Sequence, residues 1–174
     1  MPTFPDARND LTSDCRRCPE LVESRDCISW GNGPLDASVV VVGEAPAEGD
    51  PDADQWRGGN LTGMAYTSRA SGRKIRDLLA DAGFGHEACY FTNAVKCHPP
   101  GNRDPTEQEL ANCRPYLVEE VETVAPDAVL TTGKHATETV LALDGDTLEG
   151  FLDSVLEPRT SDGLRVPVLA LMNP

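Results

Sequence analysis

Lysine is scarce in this chain: Lys74, Lys96 and Lys134 stand against twelve arginines and 29 carboxylates, for a net charge of -14. So acidic a balance repels nucleic acid from the molecule as a whole, and high salt screens the self-repulsion, the pattern of a halophile-like acidic surface. Long apolar runs are also missing. The valines at 39–42 and the stretch 166–172 fall far short of the roughly 20 residues a membrane-crossing helix needs. The opening "MPTFPDARND" lacks the basic and then apolar layout of a secretory leader. These absences predict a soluble, cytoplasmic monomer with no membrane partner. No G-x-G-x-x-G follows the first strand candidate, which argues against a dinucleotide site. No repeat, low-complexity tract or Gly/Ser linker divides the 174 residues, a length that suits one domain.

What is present alternates between two periodicities. The unbroken valines of "SVVVVGEA" suit a strand buried on both faces of a parallel sheet. Ser71 can cap a helix whose apolar positions are Ile75, Leu78, Leu79 and Ala82, with Gly83 as a stop. "CYFTNAVK" reads as a second strand, and Thr106 and Glu109 have capping-box spacing ahead of a stripe at Leu110, Leu117, Val121 and Val124. Pro115 lacks an N–H and predicts a break near Cys113. "DAVLTTG" reads as a third strand, "KHATETVLAL" as a helix and "VPVLALMNP" as a fourth strand. The alternation predicts a doubly wound α/β sheet, whose ligands sit beyond the carboxyl ends of the strands. The segments after Val42, around Asn93 and at Asn173 are therefore expected to converge.

Against the global acidity, residues 57–76 carry Arg57, Arg69, Arg73, Lys74 and Arg76 and no carboxylate. Cations in the first turn of a helix oppose its dipole, so attraction to a phosphate explains what helix propensity does not.

Six cysteines in a reducing compartment favour a metal or cluster site over a disulfide framework. Cys15 and Cys18, in "CRRC", have the spacing to share one metal. Cys97 and Cys113 lie 16 positions apart and can close a four-thiolate site with them, either a structural zinc or an iron-sulfur cluster. Cys27 and Cys89 have no partner at ligand spacing and read as small buried hydrophobes.

"CRRC", "VVGEAPA", "TNAVKCHPPGNRDPTEQELANCRPYL" and "LTTGK", in this order over nearly the whole chain, resemble the family 4 uracil-DNA glycosylases, the iron-sulfur branch of that superfamily. The resemblance implies a three-layer α/β/α sandwich around a central four-stranded parallel sheet, and a structural [4Fe-4S] cluster on Cys15, Cys18, Cys97 and Cys113. It implies DNA, single- or double-stranded, as partner, and hydrolysis of the N-glycosidic bond of a flipped uracil in base excision repair. The first motif falls on Gly43, Glu44, Ala45 and Pro46. Glu44 and Asp50 are the expected carboxylates for stabilising an oxocarbenium-like sugar and positioning water, and Asn93 the amide that reads the base edge. Arg69, Arg73 and Lys74 are the expected phosphate contacts.

Several positions depart from the family pattern. Ala47 stands where a glycine is usual, at the approach of the base to the backbone. The base-stacking phenylalanine segment is replaced by "LTGMAYTSRASG", which makes Tyr66 the stacking candidate and Trp56 the second. Where the family has His-Pro-Ser after the last strand, this sequence has Asn173 and Pro174, and the family's usual C-terminal end is absent from residues 1–174. Asn173 can donate a hydrogen bond there but cannot carry a proton as imidazolium does. A non-catalytic or altered-specificity DNA-binding, damage-sensing relative is the alternative these departures suggest.

Overall fold

The four valines become β1 (Val39–Gly43), all five residues buried, at the centre of the sheet. The computed structural model describes residues 2–174. β1 pairs in parallel with β2 (Cys89–Asn93) on one side and β3 (Ala128–Thr132) on the other. β5 (Val166–Leu171) extends the sheet in parallel from β3, and a short β4 (Arg159–Ser161) closes the edge antiparallel to β5. The order is β2-β1-β3-β5-β4. The four expected parallel strands are thus present, and the sheet has a fifth. β4 is three residues long with exposed Arg159 and Thr160, so it carries no apolar alternation by which a strand is read.

The strict alternation of side chains sorts β1 onto two faces. Val40 and Val42, with Tyr90, pack with Leu117, Val121 and Val124 of α4 (Glu107–Val124) and Val140 of α5 (Lys134–Ala142). Val39 and Val41, with Phe91, pack against Ile75 and Leu79 of α3 (Ser71–Asp81). Helices on both faces make the three layers. Each fully buried valine or leucine contributes roughly 1.5–3 kcal/mol, which fixes the register that the site depends on. Three short helices, α1 (Pro19–Ser24), α2 (Gly59–Thr62) and α6 (Phe151–Ser154), complete the described secondary structure with a 3-10 turn at Pro100–Asn102.

Two helix expectations need correction. Ser71 is the first residue of α3, not its cap; the Oγ of Ser68 accepts from the Gly72 N–H at 3.0 Å instead. α4 runs unbroken through Pro115. Its start is the expected capping box, with Thr106 Oγ1 accepting from Glu109 N at 3.2 Å and Glu109 Oε2 accepting from Thr106 N at 2.9 Å. Pro115 leaves the Ala111 carbonyl without its helical donor, and at the next residue the Asn112 carbonyl accepts from Arg17 Nη1 at 3.2 Å while Asn112 Nδ2 donates to the Arg17 carbonyl at 3.1 Å. The N-terminal segment thus grips the helix at its weakest turn, and burial of Leu117 and Val121 against Val40 and Val42 holds the rest to the sheet.

Candidate active site

A cavity of about 360 Å³ opens where the parallel strands end, as the doubly wound topology requires. Gly43 to Ala47 enter it from β1, Asn93 from β2, Thr132 to His135 from the turn between β3 and α5, and Met172 and Asn173 from the end of β5. Gly43 and Asn93 are partners in the β1–β2 register. A Cβ on Gly43 would come 2.6 Å from Asn93 Oδ1 and 2.7 Å from Tyr66 Oη, so the absence of a side chain there is what lets amide and phenol both close on the strand. Asn93 itself is 4% exposed.

Tyr66 also lines the cavity, in the left-handed region at φ 54°, a conformation that costs a bulky residue strain and persists only when its surroundings enforce it. Arg76 enforces it. Its Nε donates to the Tyr66 carbonyl at 3.0 Å, its Nη2 to Asn32 Oδ1 at 2.7 Å, and its guanidinium lies 3.9 Å from the Phe91 ring centroid. Burial lowers the Arg76 pKa to about 10. Arg76 is therefore a buried brace and not a phosphate contact, a correction to its reading as part of the basic face. The Tyr66 hydroxyl is tied to Thr132 Oγ1 at 2.5 Å, and burial raises its pKa.

Glu44 is half-buried. Burial pushes its carboxyl above the ordinary carboxylate range, the nearby His135 opposes that shift, and Asp104 and Glu138 add to it. Glu44, Asp104 and His135 each bring a ligand atom within 4.8 Å of the others. His135 Nε2 lies 3.2 Å from Asp104 Oδ2 and its Nδ1 3.2 Å from Glu138 Oε2.

The structure therefore brings Gly43, Glu44, Ala45, Pro46, Ala47, Tyr66, Asn93 and Asn173 to one cavity. Asp50 does not join them: it is exposed, and its Oδ1 accepts from the Asp52 N–H at 3.0 Å in a local turn. Trp56 is buried edge-on against Phe4, with ring centroids 5.1 Å apart, and lies outside the cavity lining. Arg69 and Lys74 are exposed and Arg73 partly so, at the start of α3 beside the lining residues Ser68 and Ser71. Asp104 and His135 were not singled out from the sequence. One sits in a proline-flanked loop and the other inside a helical pattern, and nothing in their own neighbourhoods marks them as partners.

The four expected cysteines gather around one cluster between the N-terminal segment, the loop that follows β2 and α4. Cys97 and Cys113 are buried in a cluster with Val95, Trp30 and Tyr116, and Cys15 and Cys18 pack against it. Donors already point at the sulfurs: Arg25 Nη1 to Cys97 at 3.3 Å, the Lys96 N–H to Cys113 at 3.4 Å and Asn112 Nδ2 to Cys18 at 3.4 Å. Burial pushes the Cys113 thiol up to about 12 and raises Cys97 and Cys18 too. Cys89 is buried in β2, as expected, whereas Cys27 is only partly buried and donates to the Leu61 carbonyl at 3.9 Å.

Between thiols and cavity runs a buried polar network. Lys96 Nζ pairs with Glu120 Oε2 at 2.5 Å, the two side chains 1% and 0% exposed, and donates to Thr92 Oγ1 at 2.5 Å and the Asn93 carbonyl at 2.7 Å. Glu120 Oε1 accepts from Tyr90 Oη and Gly31 N, both at 3.2 Å.

The family model described as the uracil DNA glycosylase superfamily matches residues 30–174. A type-4 uracil-DNA glycosylase of Archaeoglobus fulgidus is 31% identical over 177 residues, covering 100% of this chain and 82% of the relative. A type-5 uracil-DNA glycosylase of Pyrobaculum aerophilum is 36% identical over 166 residues, covering 79% and 70%. A type-4 enzyme of Thermotoga maritima is 36% identical over 128 residues, covering 74% and 61%.

Proposed function

Since the chain belongs to the uracil-DNA glycosylase superfamily, we propose that it hydrolyses the N-glycosidic bond of uracil in DNA, with the base held in the cavity at the ends of β1 and β2. The observation that carries this is the convergence of Glu44 and Asn93 on that cavity, on strands locked in register at Gly43 and Asn93. The Asn93 amide offers a donor and an acceptor together, the complement of a pyrimidine edge. Tyr66 supplies an aromatic face, clamped from behind by Arg76. Glu44 holds a carboxylate beside the sugar, where positive charge develops and an attacking water must be oriented. Arg69, Arg73 and Lys74 flank the mouth as the phosphate contacts of an otherwise acidic molecule.

We also propose that Cys15, Cys18, Cys97 and Cys113 hold a [4Fe-4S] cluster. Their four thiols gather around one cluster drawn from the N-terminal segment, the loop after β2 and α4, the four-thiolate set that an iron-sulfur group takes. Hydrogen bonds to three of the sulfurs suit thiolates, which burial alone disfavours. When bound, the cluster supplies a cross-link between the N-terminal segment and α4, away from the cavity.

Uracil-containing single- and double-stranded oligonucleotides, treated with alkali to cleave abasic sites, test the activity. They should be assayed from low to high salt because phosphate contacts are salt-dependent. Excision is expected, and Asn93→Ala should slow it about a hundredfold. Binding of these oligonucleotides without cleavage would favour the damage-sensing alternative. Gly43→Ala places a methyl on the amide and phenol and should weaken uracil-DNA affinity tenfold or more, read as a rise in KM. An unchanged KM would remove the base from this end of the cavity.

A further inference from the structure

Uracil leaves its sugar as an anion, the electron pair of the broken C1′–N1 bond spreading onto the ring oxygens, so a cationic donor in the pocket lowers the barrier. Asn93 and Asn173 are neutral amides. The cavity-lining residues able to carry positive charge are Lys134 and His135. Lys134 is 58% exposed, with its Nζ 3.6 Å from Glu138, where solvent screens it. His135 is 31% exposed and fixed on both sides, Nε2 toward Asp104 and Nδ1 toward Glu138.

We propose that His135 is a catalytic residue whose protonated ring donates a hydrogen bond to an oxygen of the departing uracil. The inference rests on the glycosylase reading above. Asp104, 69% exposed, yields Nε2 to the base, while Glu138 keeps Nδ1 oriented. In the step, water adds to C1′ as the C1′–N1 bond breaks. The bonding pair leaves with the base, and the one proton released by the attacking water passes to the Glu44 carboxylate. The base departs as an anion hydrogen-bonded to the imidazolium and is protonated on release. The charged groups facing the ring are Glu44 from the end of β1, Asp104 from the loop before α4 and Glu138 from α5, the last also 3.6 Å from Lys134 Nζ. The turn that carries His135 touches the end of β5: a Cβ on Gly133 would lie 3.7 Å from Asn173 Cβ. A histidine placed at 173 would therefore reach the same part of the cavity.

Single-turnover excision from a uracil-containing oligonucleotide, followed from about pH 5 to 9, is the test, with circular dichroism and oligonucleotide Kd measured on each variant. His135→Gln is expected to slow excision about a hundredfold with Kd within threefold, and to abolish the fall in rate with rising pH that a protonated donor imposes. His135→Gln combined with Asn173→His is expected to regain at least tenfold and to restore that fall. A His135→Gln rate within threefold of wild type, or a loss matched by an equal loss of affinity, overturns the proposal while leaving the glycosylase reading intact. A wild-type protein that binds the oligonucleotide without excising uracil overturns both.

Discussion

Lys96→Met is expected to lower stability by roughly 3–5 kcal/mol, because it leaves the Glu120 carboxylate buried without its counter-charge. The cost follows from geometry. Glu120 is 0% exposed and cannot turn to solvent, and Lys96 is the cation that meets it, at 2.5 Å. The remaining contacts to Glu120, from Tyr90, Thr92 and Gly31, are neutral donors that stabilise a carboxylate less than an ammonium does. Adding Glu120→Gln should recover at least half of the loss. A glutamine carbonyl still accepts from Tyr90 and Gly31, its NH2 group can donate to Thr92, and no charge is left behind. Urea unfolding of wild type, Lys96→Met and the double variant reads this directly. A single-variant loss below about 1 kcal/mol, the range of exposed pairs, would refute the buried pair.

Cys113→Ala is expected to have the largest effect of any single change. It removes one of the four proposed cluster ligands and unclasps the segment that Arg17 and Cys18 hold against α4 and Arg25 holds against Cys97. Structural metal sites return their binding free energy as folding free energy, so Tm should fall by about 10 °C or more. Bound iron and acid-labile sulfide should be lost, and trypsin should cut rapidly at Arg16, Arg17 or Arg25. Cys27→Ala should keep its iron and shift Tm by only a few degrees. Full iron content in Cys113→Ala would exclude that thiol as a ligand.

The architecture was legible wherever one pattern repeated. Four valines in a row read as a central strand, and Thr106 with Glu109 read as a helix start, because both signals are local and are satisfied locally. Pro115 misled because its missing N–H is a local fact, whereas the Arg17 contact beside it comes from 95 residues away. The site divides in the same way. Glu44 and Asn93 were visible as residues following strands, and their meeting follows from sheet topology. Asp50 was drawn in by the family resemblance, but the chain after Glu44 passes through Gly49 at φ 102° and leaves Asp50 exposed. Asp104 and His135 reach Glu44 through a loop conformation that no periodicity encodes. Arg76 looked like part of a solvated basic face, and its burial depends on the path of the Tyr66 loop above it.

The β1–β2 register carries a consequence for how such a pocket can change over generations. Gly43 and Asn93 share one rung of the ladder, so inserting or deleting a single residue in either strand would turn Asn93 away from the cavity and drive a core side chain into it. The strand interiors are thus closed to length variation. The loops that leave their carboxyl ends can lengthen at little thermodynamic cost, and they carry Asp104, Tyr66 and Arg69. Drift in what the pocket accepts is therefore channelled into those loops, while the rung that faces the base stays fixed.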